Sequence, residues 1–364
     1  MFNKEEDMNP ATTEDVVVDD DVNNVKEERA IDVMMRRNEL MHTEKSIRNG
    51  REFVVKENDV FVATYPKSGT TWMQQIMHQI RCLREDRFAE RAAMDFGEIT
   101  EVVPWDILAE DCRGLSTIGG AQDLRAEQSK YRNGLRVFKS HEERRNIAKM
   151  KENGKMARYC IVTRNPEDVF YSFWKFLPEY CGVDSESVSA EEFCEAVFAG
   201  ASHSGQYWNW NLEWFKFARE HKERCLFVCF EDMKNDLRKV ILKIANFMGE
   251  DFVSKSDLDE LVRRCSFDYM REHATQFDDH FVRNKVKKRM GIYDDGDDAK
   301  KFLVGKVRQS GGKIGDGKQN LPDSVKNRLE QRWNEVFASE REDEGLIFAT
   351  YNDFREAIND IWWS

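Results

Sequence analysis

A short apolar run that leads into a polar loop and then into a helical pattern constrains this chain more than any other feature. The run Val60–Thr64 is rich in β-branched and aromatic residues and is bounded by Tyr65 and Pro66. Such a run predicts a buried parallel strand. After the loop, apolar residues recur at the three- and four-residue spacing of a helix: Trp72, Met73, Ile76, Met77, Ile80 and Leu83.

The loop between this strand and helix has the composition of an anion-binding site. The N-terminus of a helix presents unpaired N–H groups and a partial positive charge. Gly69 allows the backbone to approach an anion closely. Lys67 adds a cation, and Ser68, Thr70 and Thr71 add hydroxyl donors. The sequence therefore predicts a phosphate-binding loop.

The position of the lysine separates this loop from a Walker A loop. That pattern is GxxxxGK[ST], with the lysine after the second glycine. Here Lys67 precedes Gly69, and no earlier glycine is near. The order weakens the case for an ATP- and magnesium-dependent kinase or nucleotidase, which stays as an alternative function.

Three further strand patterns alternate with helical ones, at Leu135–Lys139, Tyr159–Thr163 and Cys225–Phe230. This alternation predicts a single α/β domain with a central parallel β-sheet flanked by helices. We assign this domain to residues 49–364. Residues 1–48 are predicted to be an acidic, largely disordered extension that contains a short helix.

Helical patterns also cover much of the second half of the chain. The segment Glu191–Glu220 is rich in aromatic residues, which predicts a contribution to the core. A polar, glycine-rich stretch at Asp294–Asn320 interrupts the pattern. The last helices are predicted at Asp323–Ala338 and Tyr351–Trp363.

Composition excludes several classes of protein. The net charge of −12 argues against a general nucleic-acid binder. No apolar run reaches the roughly 20 residues of a membrane span. The acidic N-terminus fits neither a secretory signal nor a transit peptide, so we expect a cytoplasmic protein. The eight cysteines are scattered without a CxxC pair, which predicts buried free thiols and no metal site.

Two polar groups follow predicted strands, at the strand ends where open α/β sheets bind ligands. Arg164 could hold a second phosphate with Ser172, or it could pair with Glu167 or Asp168. His141 follows another strand, and an imidazole near its usual pKa of about 6.5 suits a general base.

The octapeptide Tyr-Pro-Lys-Ser-Gly-Thr-Thr-Trp at residues 65–72 resembles the 5′-phosphosulfate loop of the cytosolic sulfotransferase family. In that family the loop binds the 5′-phosphate of 3′-phosphoadenylyl sulfate (PAPS). The resemblance implies that Lys67 contacts the bridging oxygen of the leaving group and that Trp72 stacks on adenine. The phosphate-binding roles fall on Lys67, Ser68, Gly69, Thr70 and Thr71.

Two further elements of the family follow in the same order. The tripeptide Lys139-Ser140-His141 resembles the segment that carries the catalytic base, so the resemblance implies His141 as base, while Lys139 could stabilise charge on the transferred group. The stretch Val162–Ser172 resembles the 3′-phosphate segment, which places that role on Arg164 and Ser172.

The third nucleotide-binding element of the family matches less closely. The stretch Val307–Lys318 carries Gln309 where lysine is usual and Gly317 where tryptophan is usual. Phe230 stands where the family often has tyrosine. By resemblance the remaining nucleotide-binding residues are Phe267, near adenine, and Arg308, Gln309, Ser310 and Gly311.

The resemblance implies a fold related to P-loop nucleotide kinases, with PAPS as co-substrate, no metal and a small-molecule acceptor. Acceptors in the family are phenols, sterols, other alcohols or amines. Candidate pocket residues are Pro104, Trp105, Trp174 and Phe176, each of which could instead belong to the core. The family's dimerisation motif is not recognisable, so both monomer and homodimer stay open. A non-catalytic relative that binds PAPS is the second alternative.

Overall fold

The computed structural model describes residues 28–83, 96–112, 134–147, 156–198, 204–250, 253–293, 312–338 and 346–364. Its centre is a four-stranded parallel sheet in the order β2-β1-β3-β4. The strands are β1 (Val60–Thr64), β2 (Val137–Ser140), β3 (Arg158–Thr163) and β4 (Cys225–Cys229). All strand residues except Arg158 are buried, as in sheets with helices on both faces. The predicted α/β class is confirmed.

Helices surround this sheet and connect its strands. In chain order the α-helices are α1 (Ala30–Glu39), α2 (Glu44–Arg51), α3 (Thr70–Arg81), α4 (Ile99–Val102), α5 (Arg144–Ile147), α6 (Pro166–Trp174), α7 (Leu177–Tyr180), α8 (Ala190–Phe193), α9 (Tyr207–Glu220), α10 (Phe230–Asn235), α11 (Leu237–Met248), α12 (Lys255–Arg264), α13 (Phe267–Glu272), α14 (His280–Val286), α15 (Asp316–Asn320), α16 (Asp323–Trp333) and α17 (Tyr351–Trp362). Short 3₁₀ turns lie at Asp106–Leu108, Ser185–Ser187 and Ala274–Phe277, and π-helical turns at Cys194–Phe198 and Asn334–Ala338.

The register of the sheet brings the carboxyl ends of its strands to one edge. Ala63 pairs with Ser140, Thr64 with Val162 and Thr163 with Cys229. β1 lies between β2 and β3, so the chain passes from β1 to β2 on one side and later to β3 on the other. This reversal makes the carboxyl edge of the sheet a topological switch point. The loops after all four strands therefore meet at one place.

Strand predictions agree with the structure to within about two residues, and the differences have local causes. β2 begins at Val137 rather than Leu135, and β4 ends at Cys229 because Phe230 already begins α10. The predicted helix over 191–220 is divided, since α8 passes into a π-helical turn and α9 begins at Tyr207. Its aromatic residues Trp208, Trp210, Trp214 and Phe215 are core residues.

The domain begins earlier than the boundary predicted at residue 49. Helices α1 and α2 pack on the domain, and Ile31 and Met34 are buried in the core. The Arg37 guanidinium donates to the carbonyls of Cys181 and Gly182, each at 2.9 Å. The expected disorder therefore does not hold for residues 28–48, while residues 1–27 lie outside the described part.

Within the described residues, none of the helices combines the length and the apolar character needed to cross a bilayer.

Candidate active site

The loop after β1 turns sharply on two residues with left-handed backbone. Lys67 has φ 71° and Gly69 has φ 109°. A Cβ atom at Gly69 would lie 2.8 Å from Cδ2 of Phe230, so glycine is required both by its backbone and by the neighbouring ring. The loop is thus pressed against the start of α10 as it enters α3.

Five of the six loop residues assigned to the donor border one cavity at the sheet edge: Lys67, Gly69, Thr70, Thr71 and Trp72. The sixth, Ser68, is buried and its backbone N–H donates to the Tyr65 carbonyl at 3.2 Å. The Ser68 hydroxyl finds no hydrogen-bond partner among the described residues. A buried hydroxyl without a partner is costly, so this atom fits a phosphate oxygen as its acceptor.

His141 lies at the end of β2 with one ring nitrogen fixed by the backbone. Its Nδ1 is 2.8 Å from the Thr64 carbonyl oxygen, which can only accept, so Nδ1 carries the proton. The Thr64 hydroxyl lies 3.2 Å from Nδ1 and 2.7 Å from the hydroxyl of Thr70. This tautomer makes Nε2 the basic nitrogen, and His141 borders the cavity.

The two candidate catalytic lysines each rest on an aromatic face. Nζ of Lys67 lies 3.5 Å from the ring centroid of Phe176, and Nζ of Lys139 lies 3.7 Å from that of Trp105. Trp105 also contacts the His141 ring edge to face, with the centroids 5.0 Å apart. Cation–π contacts of this kind orient an ammonium group without neutralising it. Trp105 and Phe176, assigned to the acceptor pocket from sequence, therefore also hold the lysines.

Arg164 follows β3 on the other side of the same cavity. Its Nη1 lies 3.5 Å from the Lys67 carbonyl oxygen and its Nη2 lies 3.8 Å from an Asp168 carboxylate oxygen. The guanidinium carbon sits 4.3 Å from the ring centroid of Phe230, and burial lowers the pKa of Arg164. Its Nε is buried with no partner among the described residues. The pairing with Asp168 is long, so the guanidinium keeps donors for a phosphate; Ser172 borders the same cavity.

The third nucleotide-binding element is described only from Gly312 onward. Arg308, Gln309, Ser310 and Gly311 lie outside the described residues. Gly312 borders the cavity. The N–H groups of Gly315 and Gly317 donate to the two carboxylate oxygens of Asp168, at 2.9 and 2.8 Å. This element is therefore tied to the first turn of α6.

Close packing explains the glycine that stands where the family has tryptophan. A Cβ atom at Gly317 would lie 2.3 Å from the backbone carbonyl of Glu167. Rotating a side chain cannot relieve this clash, because the Glu167 atoms that the Cβ would meet, C and O, belong to the backbone. A tryptophan could not occupy this position without moving α15 away from α6.

We expect Gly317→Ala to weaken binding of the nucleotide. Moving α15 off α6 would cost about 1–3 kcal/mol, as overpacking does elsewhere, and would displace the loop beside Arg164. Calorimetric titration with adenosine 3′,5′-bisphosphate (PAP) measures the loss. Gly97→Ala is the control, since Gly97, like Gly317, has no left-handed backbone, and a Cβ there approaches only the side chain of Glu101, at 3.1 Å. Equal effects of the two substitutions would contradict this account.

Aromatic rings and a lysine form one part of the cavity wall. The Trp72 indole N–H donates to the Cys265 carbonyl at 2.7 Å, and the ring meets Phe230 edge to face at 5.7 Å. Nζ of Lys234 lies 5.0 Å from the ring centroid of Phe267. Sequence reasoning missed Lys234 and gave Phe230 no role. Their position just after the end of β4 is the signal that could have identified both.

The lining of the cavity differs from the predicted acceptor pocket. Pro104 and Trp174 do not border it. The Pro104 carbonyl accepts the Lys139 N–H at 2.9 Å, and the Trp174 indole donates to the Val188 carbonyl at 2.8 Å. Both therefore hold backbone in place. Residues that the sequence did not identify also border the cavity: Asn38, Met41, His42, Ile107, Tyr180, Met270 and Asp279.

The cysteines take no part in this site. All eight are buried and none forms a disulfide, as predicted. Burial raises the pKa of Cys194 to about 11 and that of Cys112 to about 12, so these two thiols stay protonated and poor nucleophiles. In the part of the chain that the structure describes, no cluster of histidine, cysteine and acidic side chains could hold a metal ion.

Comparison with known proteins places this site in a family. The model of the sulfotransferase domain matches residues 57–303, more than half of the chain. The chain is 29% identical to the amine sulfotransferase of Oryctolagus cuniculus over 82% of its own length and 85% of that protein. It is 28% identical to the flavonol 3-sulfotransferase of Flaveria bidentis, over 59% and 66%.

Solved structures show the same fold at lower identity. Mouse sulfotransferase SULT7A1 in complex with PAP superposes with a TM-score of 0.56 at 20% identity, covering 82% of this chain and 92% of that one. Retinol dehydratase in complex with retinol and PAP gives 0.57 at 18% identity, covering 84% and 89%.

The sheet edge, the phosphate loop and these matches define a PAPS-dependent sulfotransferase, with PAPS as co-substrate. The chain belongs to the sulfotransferase family.

Proposed function

We propose that this protein transfers the sulfuryl group of PAPS to a hydroxyl of a small, largely hydrophobic acceptor, with His141 as the general base. The observation that carries the proposal is the arrangement at the sheet edge. The Thr64 carbonyl orients the His141 ring, and Lys67 and Lys139 border the same cavity on aromatic faces. These three residues supply one base and two cations within one cavity.

The chemistry needs both kinds of group. Nε2 of His141 takes the hydroxyl proton as the acceptor oxygen attacks sulfur, and the bond from sulfur to the bridging phosphate oxygen breaks. The products are a sulfate ester and PAP. The ammonium of Lys67 stabilises the charge that develops on the bridging oxygen, and that of Lys139 stabilises charge on the sulfuryl oxygens. No metal is needed for any of these roles.

The nucleotide is proposed to lie across the carboxyl ends of the strands. The loop after β1 binds the 5′-phosphate at the N-terminus of α3. Arg164 and Ser172, together with Arg308, Gln309, Ser310 and Gly311, bind the 3′-phosphate. Trp72, Phe230 and Phe267 enclose the adenine, and their fit is supported by their shared place on the cavity wall.

The acceptor end supports a compact and mostly apolar molecule. Its wall includes Met41, Ile107, Leu177 and Met270. Phenols, sterols and other alcohols all carry such a hydroxyl, and all three belong to the proposed acceptor class. Relatives from Arabidopsis thaliana that are named cytosolic sulfotransferases support a cytoplasmic location. We propose no partner beyond the small molecule, and both monomer and homodimer are compatible with this site.

An acceptor screen with labelled PAPS tests the proposal. We expect transfer of label to at least one phenol, sterol or other alcohol, with formation of an equal amount of PAP. Addition of a chelator should leave the rate unchanged, and ATP should not replace PAPS. Transfer from ATP that requires magnesium would instead support a kinase. Tight PAP binding with no transfer to any acceptor would support a non-catalytic relative.

A further inference from the structure

Among the described residues, the guanidinium of Arg164 makes only long polar contacts. Its nearest hydrogen-bond partners are the carbonyls of Lys67 and Lys313, at the long distances of 3.5 and 3.4 Å. The stacked ring of Phe230 supports the guanidinium on one face. Because these contacts are weak, the position of the guanidinium depends on the backbone that carries it.

The peptide group that follows Arg164 is held at both of its ends by buried side chains. The Tyr207 hydroxyl donates to the Arg164 carbonyl oxygen at 2.6 Å. The N–H of the same peptide group, that of Asn165, donates to Oε1 of Glu231 at 3.0 Å. Both Tyr207 and Glu231 are buried. These two hydrogen bonds hold the peptide plane at its oxygen and at its N–H and so restrict its rotation. The orientation of this plane sets the direction of the Cα–Cβ bond of Arg164 and hence of its side chain.

Glu231 is itself held by the last helix of the chain. Its Oε2 accepts a hydrogen bond from the Tyr351 hydroxyl at 2.8 Å, and Tyr351 is the first residue of α17. Burial raises the pKa of Glu231, whereas the two donors and the nearby Arg164 favour its charged form. Each oxygen of the carboxylate thus accepts one positioning hydrogen bond. Oε1 accepts from the Asn165 N–H beside Arg164, and Oε2 accepts from Tyr351 in α17.

Helix α17 is firmly attached to the strand that precedes Glu231. The indole N–H groups of Trp362 and Trp363 donate to the carbonyls of Cys225 and Phe227 in β4, at 3.0 and 2.9 Å. Arg355 forms an ion pair with Asp232, the residue after Glu231. The helix is therefore a rigid support against which Tyr351 can hold the carboxylate.

We propose that Glu231 and Tyr351 are positioning residues for 3′-phosphate recognition, which act by orienting the peptide group that carries Arg164. This inference rests on the proposed role of Arg164 toward the 3′-phosphate. It assigns a part in donor recognition to the C-terminal helix, which lies beyond the residues 57–303 that match the family domain. Neither residue contacts the nucleotide in this proposal.

The affinity ratio between PAP and adenosine 5′-monophosphate isolates this role, because the two nucleotides differ by the 3′-phosphate. We expect Tyr351→Phe to lower PAP affinity by about three- to tenfold, the effect of one lost hydrogen bond, and to leave adenosine 5′-monophosphate affinity unchanged. Glu231→Leu should lower the ratio further. Glu231→Gln keeps an acceptor for the Asn165 N–H and should retain most of the ratio. Calorimetric titration measures both affinities.

Tyr159→Phe is the matched control. Its hydroxyl is also buried and donates to a backbone carbonyl, that of Ile147 at 2.9 Å, away from the cavity. It should leave the ratio unchanged. In an Arg164→Met background, Tyr351→Phe should have no further effect on the ratio, since the group that it positions is gone.

Three results would overturn the inference. These are an unchanged ratio in Tyr351→Phe, equal losses for both nucleotides, and a full effect of Tyr351→Phe in the Arg164→Met background. The proposed function fails in a different way, since wild-type protein would then bind PAP no more tightly than adenosine 5′-monophosphate.

Discussion

His141→Ala is expected to reduce sulfuryl transfer by about 10²- to 10⁴-fold, the usual contribution of a general base, while PAP still binds. The imidazole is oriented by the Thr64 carbonyl and contacts Trp105, and no phosphate-binding role is assigned to it. Initial rates with saturating PAPS and acceptor measure the loss, and calorimetric titration with PAP measures binding.

A second substitution separates the base from the hydrogen bond that holds it. In His141→Asn the side-chain amide can still donate to the Thr64 carbonyl, but it has no basic nitrogen. We expect it to be as inactive as His141→Ala and more stable toward heat. His221→Ala is the control, because His221 follows the C-terminus of α9 and does not border the cavity. Transfer by His141→Asn at the wild-type rate would show that another group removes the proton.

Lys67→Met should lower the rate of transfer by about 10²- to 10³-fold, similar to the loss of one charged donor from a preorganised site. Methionine can still pack on the Phe176 ring, where the lysine Nζ now lies 3.5 Å from the centroid. The substitution therefore removes charge and leaves most of the packing. The rate falls because the charge that develops on the bridging oxygen in the transition state is no longer stabilised. We therefore expect kcat to fall more than PAPS affinity does.

The same lysine–aromatic contact occurs outside the cavity and supplies the control. Nζ of Lys175 lies 3.8 Å from the ring centroid of Trp174, and neither residue borders the cavity. Lys175→Met should leave kcat and the affinity for PAPS unchanged. If Lys67→Met also retained full activity, the proposed role of this loop in transfer would be wrong.

Much of the fold could be predicted because its signals are local. The β-branched run at Val60–Thr64 matches β1 residue for residue, since a strand buried on both faces must be apolar along its whole length. Asn165 caps α6 and Pro166 begins it, as the sequence pattern indicates. Boundaries failed where local patterns were ambiguous, as at Phe230, whose apolar side chain continues the β4 pattern although its backbone is helical.

The sequence also predicted several residues that the structure brings to one cavity, the proposed donor site. A lysine, a glycine and hydroxyl residues between a strand and a helix have few other uses than anion binding. His141 could be singled out because a strand end in a parallel sheet is a ligand position. The prediction for the acceptor end was less successful. Pro104 and Trp174 hold backbone and do not border the cavity. The sequence could not show this, because their distance from the cavity depends on how separate segments pack.

The sequence by itself determined the α/β class, the parallel sheet and the polar loop that is proposed to bind the anionic donor. Each of these follows from residues that are neighbours in the chain. Only the tertiary structure decided which aromatic faces hold Lys67 and Lys139, that α1 and α2 belong to the domain, and that Glu231 links Arg164 to Tyr351. These contacts join residues more than 50 positions apart in most cases, as in the 120-residue separation of Glu231 and Tyr351. Their pairing depends on packing geometry, which no local pattern encodes.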